Sequence, residues 1–168
     1  VEDREITAWF LLDLSPSVDF GTVQSLKRTV LIDFVTTLAR LLTRHGNRVG
    51  AIFYDSRIER TIPARGGRIQ VLRIVNDLLK QPQLPRAPFT NLTPLLEGGI
   101  YSLKKRSLVF VVSDFICSPG WERTLNLLNR RHEVLTIRLW DPREVKLPDI
   151  GMVVMEDAET GDQMFVDT

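Results

Sequence analysis

The sequence is poor in cysteine, in long apolar runs and in excess charge of either sign. Its single cysteine, Cys117, excludes an internal disulfide and a cysteine-based zinc cluster. With 22 Lys and Arg against 21 Asp and Glu, the net charge is +1, so we expect no general attraction to nucleic acid or anionic lipid. No apolar run approaches the roughly 20 residues that cross a bilayer, so we expect no membrane insertion by this segment.

What remains is the composition of an ordinary folded domain. The chain has 168 residues, of which 43% are hydrophobic and 26% charged, and this is enough to build one core. The lone thiol favours the reducing cytoplasm, and the first residues lack the features of a signal peptide. Because Val1 is a poor natural start, we expect residues 1–168 to be a single domain of a longer protein, whose other parts would supply any membrane tether.

Short apolar runs alternate with stretches of helical periodicity along the chain. The apolar runs predict buried strands at 6–12, 48–54, 107–113 and 133–139, and an alternating run predicts a half-exposed strand at 57–62. Helical spacing predicts helices at 24–44, near 71–79, from Thr93 onward and at 120–130. A turn is expected at 63–67, and a closing hairpin is expected within 151–166.

This alternation predicts an α/β fold of three layers, a doubly wound and mostly parallel sheet with helices on both faces. The third strand and the C-terminal hairpin are expected to supply an antiparallel edge. In such sheets, ligands bind outside the carboxyl ends of the strands. Two predicted strands stop at an aspartate, Asp13 and Asp114, so we expect a polar site at that edge.

The loops at this edge carry side chains with oxygen atoms. The first strand runs into Asp13-Leu14-Ser15-Pro16-Ser17, which places a carboxylate and two hydroxyls on alternate residues of one tight loop. Hard cations such as Mg²⁺ prefer oxygen ligands in near-octahedral geometry. The sequence therefore predicts a site for Mg²⁺ or Mn²⁺ built from Asp13, Ser15, Ser17, Thr90 and Asp114.

The order Asp13-x-Ser15-x-Ser17, then Thr90, then Asp114 resembles the metal-ion-dependent adhesion site of von Willebrand factor A (vWA) domains. The resemblance implies that the three hydroxyls ligate the metal and that the two aspartates act directly or through water. With few carboxylates on it, the ion stays electron-poor and accepts an Asp or Glu side chain from a partner protein. The implied function is metal-dependent protein–protein interaction rather than catalysis.

A narrower resemblance covers nearly the whole chain. Similarity to the bacterial domain-of-unknown-function family 58 is carried by the segments 13–21, 46–50, 63–67, 107–115, 141–144 and 157–161. Members of that family are commonly encoded beside MoxR-type AAA+ ATPases, which implies such a partner in complex assembly or chaperone-like maturation. Two residues depart from the family pattern, Asn91 in place of Asp and Val18 in place of Met. The missing acid at Asn91 is expected to lower metal affinity.

Two other hypotheses stay open. A Mg²⁺-dependent phosphohydrolase also sets carboxylates at strand ends beside a metal, but Asp13 is followed by Ser15 rather than by a second acid able to act as general base. A structural vWA domain with an inactive metal site is the third hypothesis. His45 and His132 have no nucleophile arranged beside them, so we assign both to structure.

Overall fold

The computed structural model describes residues 5–15, 21–82, 90–140, 152–157 and 163–167, with side chains described at 5–15, 26–82 and 90–140. The strands of these residues are β1 (Thr7–Asp13), β2 (Arg48–Tyr54), β3 (Ile58–Arg65), β4 (Leu108–Ser113), β5 (Glu133–Trp140), β6 (Met152–Asp157) and β7 (Gln163–Asp167). The helices are α1 (Gly21–Arg44), α2 (Arg68–Lys80), α3 (Thr93–Ser102) and α4 (Trp121–Arg131). In this described part of the chain, no helix is both long and apolar enough to span a membrane.

The strands form one sheet in the order β3-β2-β1-β4-β5-β6-β7. At its centre, β2, β1, β4 and β5 run parallel to one another. At the edges, β3 is antiparallel to β2, and the β6–β7 hairpin continues antiparallel from β5. The predicted α/β class and the antiparallel contributions of the third strand and the closing hairpin are therefore confirmed.

Both faces of the sheet are covered, because its central strands are apolar on both sides. Along β1, Phe10 and Leu12 belong to the core beneath α1 and α2, whereas Trp9 and Leu11 belong to the core beneath α3 and α4. Across β1 and β4, Phe10 stacks on Phe110 with ring centroids 5.3 Å apart. The three-layer arrangement predicted from the sequence is therefore confirmed.

One local prediction was wrong. The turn expected at 63–67 starts later, because β3 continues through Pro63 to Arg65. An edge strand tolerates proline, since only one of its sides must supply hydrogen-bond donors to a neighbour. The buried Gln70 of α2 supports this edge by donating from Nε2 to the main-chain oxygens of Val49 and Pro63, at 2.8 Å each.

The parallel centre of the sheet brings the two aspartates together. β1 and β4 are adjacent, with Leu12 opposite Val112, so Asp13 at the end of β1 lies beside the end of β4. Asp114 is the first residue after β4. Their closeness follows from the parallel direction of the strands, because both strands end at the same edge of the sheet.

Candidate metal centre

Asp13 is a buried carboxylate held by neutral donors. Its side chain ends β1 with 8% of the residue exposed. Oδ1 accepts hydrogen bonds from the Ser15 main-chain N–H, at 3.0 Å, and from the Ser15 hydroxyl. Oδ2 accepts a hydrogen bond from the Ser113 hydroxyl, at 2.6 Å. The bond to the Ser15 N–H spans two residues, which is the turn that Asp typically forms after a strand.

Thr90 joins this group from another loop. It is buried, and its hydroxyl lies 3.0 Å from the hydroxyl of Ser15. Its main-chain oxygen accepts a hydrogen bond from the N–H of Ser118, at 2.8 Å, which ties its loop to the loop after β4. Asp13, Ser15 and Thr90 are therefore linked by hydrogen bonds across two separate loops.

Asp114 lies on the same cavity as Asp13. Its Oδ1 accepts a hydrogen bond from the N–H of Ile116 at 2.9 Å, and its Oδ2 lies 3.4 Å from Nζ of Lys27. The cavity measures about 30 Å³ and is lined by both aspartates, Ser15 and Lys27 among others. A cavity of this size has room for an ion or a small number of waters.

Four of the five predicted ligands can be placed, because Ser17 lies outside the described residues. The structure brings Asp13, Ser15 and Thr90 into a chain of hydrogen bonds and sets Asp114 on the adjoining cavity. The prediction that these loops converge is therefore met for the described residues. That they ligate a metal stays a prediction.

The electrostatics of Asp13 suit a cation. Burial raises the pKa of its carboxyl to about 6, and the nearby charge of Asp114 adds to the rise. The hydrogen bonds from Ser113 and Ser15 work in the opposite direction without cancelling the effect of burial. A positive ion beside the carboxylate would compensate this cost of burying negative charge.

The donor atoms fit a hard divalent cation. The described residues contain no group of three or more His, Cys, Asp or Glu side chains that could hold a metal. Two carboxylates and two hydroxyls instead offer oxygen atoms alone, the ligands that Mg²⁺ and Mn²⁺ prefer. The set is also low in negative charge for a divalent ion.

Three residues near this site were not predicted. Ser113 is fully buried and donates to Asp13, and Lys27 faces Asp114. Arg28 donates to the main-chain oxygen of Leu14 at 3.2 Å. A sequence signal existed for Lys27, since it lies three residues before Val30 and so falls on the buried stripe of α1. No pattern marked Ser113 or Arg28.

Asn91, which departs from the family pattern, has a local role. Its Oδ1 accepts a hydrogen bond from the N–H of Thr93 at 3.1 Å, at the start of α3. Its main-chain oxygen accepts a hydrogen bond from the Tyr54 hydroxyl at 2.6 Å. The amide therefore makes the same local turn that an aspartate would make, but without the negative charge.

The loop after β4 is strained and packed. Phe115 has a φ of 56°, a left-handed conformation that residues other than glycine adopt at a cost, and its ring lies 5.3 Å from that of Trp121.

Burial, with the charges of Asp13 and Asp114, raises the pKa of Cys117 to about 11, so its thiol stays protonated at neutral pH.

Solved structures with the same architecture define the class of this domain. It matches the conserved hypothetical protein BatB from Bacteroides thetaiotaomicron with a TM-score of 0.64 and 14% identity, over 97% of this chain and 80% of that chain. It matches the manganese-loaded TRAP protein of Plasmodium vivax with a TM-score of 0.56 and 13% identity, over 100% of this chain and 94% of that chain. These likenesses concern the fold alone, which is vWA-like.

The family follows from sequence similarity. A family described as "Protein of unknown function DUF58" matches residues 1–168, and the chain belongs to it. An uncharacterized protein of Mycobacterium bovis is 34% identical over 161 residues, which is 96% of this chain and 51% of the relative. Another from Mycobacterium avium is 37% identical over 100 residues, 60% of this chain and 59% of the relative. The chain thus spans about half the length of the first relative.

Proposed function

We propose that this domain is a metal-dependent protein-interaction module, in which Mg²⁺ or Mn²⁺ beside Asp13 accepts a carboxylate from a partner protein. The observation that carries the proposal is the buried carboxylate of Asp13, which neutral donors hold and whose pKa is raised to about 6. Such a group is costly in a core and becomes favourable when a cation compensates it. The hydroxyls of Ser15 and Thr90 lie beside it as further oxygen ligands.

Each residue would have a distinct part in holding the ion. The hydroxyls of Ser15 and Thr90, together with Ser17, would ligate it, and Asp13 and Asp114 would act directly or through water. When bound, the ion supplies a Lewis-acidic position for an Asp or Glu of the partner. The manganese-loaded TRAP protein of Plasmodium vivax, which shares the fold, supports this choice of cation.

We further propose a MoxR-type AAA+ ATPase as the partner and the cytoplasm as the place of action. The family membership supports the ATPase, because the resemblance to this family implies such a partner. A structural neighbour from Bacteroides fragilis is described as an aerotolerance-related membrane protein, which supports a tether to the membrane through the rest of the polypeptide. Complex assembly or maturation by the ATPase would then take place at the membrane surface.

Affinity capture of a purified MoxR-type ATPase by the immobilised chain tests this function. We expect capture in Mg²⁺, loss of capture in chelator, and loss in Ser15→Ala even with Mg²⁺ present. Ser107→Ala is the matched control, because its buried hydroxyl at the opposite end of β4 donates to the main-chain oxygen of Lys105. Capture that is indifferent to chelator and to Ser15→Ala would contradict the metal-dependent mechanism.

The phosphohydrolase remains the second candidate, because the structure places two basic residues on the cavity. Both have local partners. Lys27 faces Asp114, and Arg28 donates to the main-chain oxygens of Leu14 and Gln81. We therefore propose a binding module without catalytic activity. Turnover of p-nitrophenyl phosphate that requires Mg²⁺ and disappears in Asp13→Ala would favour the enzyme instead.

A further inference from the structure

Lys27 shares the small cavity with both carboxylates of the proposed metal site. Its residue is only 7% exposed on α1, and its Nζ lies 3.4 Å from Oδ2 of Asp114. The side chains of this ion pair are 8% and 12% exposed, so solvent screens it little. The same cavity of about 30 Å³ is lined by Lys27, Asp13, Ser15 and Asp114. An ammonium group therefore occupies the neighbourhood in which a divalent ion would bind.

We propose that Lys27 is a built-in competitor of the divalent cation, which neutralises Asp114 in the metal-free domain and withdraws from it when the ion binds. This inference rests on the proposed function and sharpens it. Lys27 would set the cation concentration at which the domain becomes able to bind its partner.

The competition between Lys27 and the divalent ion follows from their charge repulsion. An ammonium and a divalent ion within one cavity repel each other strongly, because low-dielectric surroundings weaken the repulsion far less than water does. The lysine stem has four rotatable carbons, so the head group can move to solvent while its stem stays packed. Asp114 can thus exchange its charge partner without rearrangement of the sheet.

The net charge of the cavity changes when a divalent ion enters. Among the described residues that line it, Asp13 and Asp114 are matched by Lys27 and Arg28. These four described side chains are therefore balanced in charge before a divalent ion enters. Once the ion has entered and Lys27 has withdrawn, they and the ion carry one net positive charge, which favours an anionic side chain as the last ligand. Without Lys27, the ion would bind more tightly, while the charge around the bound ion would stay the same.

A calorimetric titration with Mn²⁺ tests the competition. We expect Lys27→Met and Lys27→Gln to lower the Mn²⁺ dissociation constant by roughly tenfold relative to the unaltered chain. Lys104→Met is the matched control, since it removes the same charge just before the amino end of β4, where Nζ lies 5.1 Å from the ring centre of Tyr101. This control should bind Mn²⁺ with unchanged affinity.

Acylation of the unaltered chain gives a second measurement that needs no variant. We expect Mn²⁺ to increase the labelling of Lys27 by an N-hydroxysuccinimide ester, read by mass spectrometry, while the labelling of Lys104 stays constant. Equal or weaker Mn²⁺ binding by both Lys27 variants, or unchanged labelling of Lys27, would overturn the competition while leaving the metal site in place. An absence of Mn²⁺ binding in the unaltered chain and in both variants would reject the metal site itself.

Discussion

Buried ionisable groups lie at both ends of the parallel strands, and burial shifts their pKa values in opposite directions. At the carboxyl ends, Asp13 is surrounded by hydroxyls, and burial raises its pKa to about 6. At the amino ends, the buried His132 accepts the N–H of Ser107 on Nδ1 at 3.0 Å, and burial, with the charges of Arg131 and Arg106, lowers its pKa. Burial favours the neutral ring of His132, and it favours the protonated carboxyl of Asp13 unless a cation lies beside it. The proposed function assigns a structural role to the amino ends and a ligand-binding role to the carboxyl ends.

The largest expected effect is an opposite response of the two ends to pH. In chelator, burial raises the pKa of the Asp13 carboxyl from its ordinary value of 3.8 to about 6, so the folded chain binds this proton more tightly than the unfolded chain. The stability that the bound proton contributes is present at low pH and is lost as pH rises through about 6. The difference amounts to about 3 kcal/mol in the free energy of unfolding. His132 has a lowered pKa, so its contribution is present above 6.5 and falls as the pH drops below that value.

Urea unfolding between pH 4.5 and 8 separates these contributions when Asp13→Asn and His132→Ala are measured beside the unaltered chain. We expect Asp13→Asn to lack the rise in the free energy of unfolding at low pH. We expect His132→Ala to lack the fall in the free energy of unfolding below pH 6.5. Identical pH profiles for all three proteins would remove the basis of the comparison.

The next effect is a gain of stability on removal of the buried charge. In chelator at pH 7.5, Asp13→Asn should raise the free energy of unfolding by about 2 kcal/mol, because the amide is neutral, its oxygen can accept the N–H of Ser15, and its NH2 can donate to the hydroxyl oxygen of Ser113. With Mn²⁺ the order should reverse, since only the carboxylate gains from the ion. Thermal melting with and without Mn²⁺ measures both. Greater stability of the unaltered chain in chelator would contradict the cost assigned to Asp13.

A change at the amino end should affect stability alone. His132→Ala leaves the N–H of Ser107 without its acceptor, which should lower the free energy of unfolding by about 1 to 2 kcal/mol. We expect Mn²⁺ affinity, measured by calorimetry on the folded variant, to stay unchanged. A loss of Mn²⁺ binding would show that the two ends are coupled.

The smallest expected effect concerns Asn91. Asn91→Asp should keep the hydrogen bond from the N–H of Thr93 and add a negative charge beside Thr90. We expect the Mn²⁺ dissociation constant to fall by about threefold, as one partly screened charge allows. Asn76→Asp, an exposed position on α2, serves as the control for added charge. Equal effects of both substitutions would mean that Asn91 exerts no local influence on the ion.

The sequence was sufficient for the features that depend on strand direction. Apolar runs without polar alternation predicted parallel strands buried on both faces, and parallel strands bring Asp13 and Asp114 to one edge. The side chains around them were harder to predict. Lys27 and Ser113 act through what they face across the fold, and helical or strand periodicity shows that a position is buried without showing its partner. The sequence predicts a turn at Pro63, because an edge strand is recognised only once its neighbours are known.

Direct titration of the chain with Mn²⁺ tests the central claim, that the buried carboxylate of Asp13 takes part in binding a divalent cation. We predict one Mn²⁺ bound per chain, loss of binding by about two orders of magnitude in Asp13→Asn, and unchanged binding in Ser107→Ala. If the unaltered chain and Asp13→Asn give the same absence of binding heat up to millimolar Mn²⁺, the carboxyl end of the sheet is not a metal site.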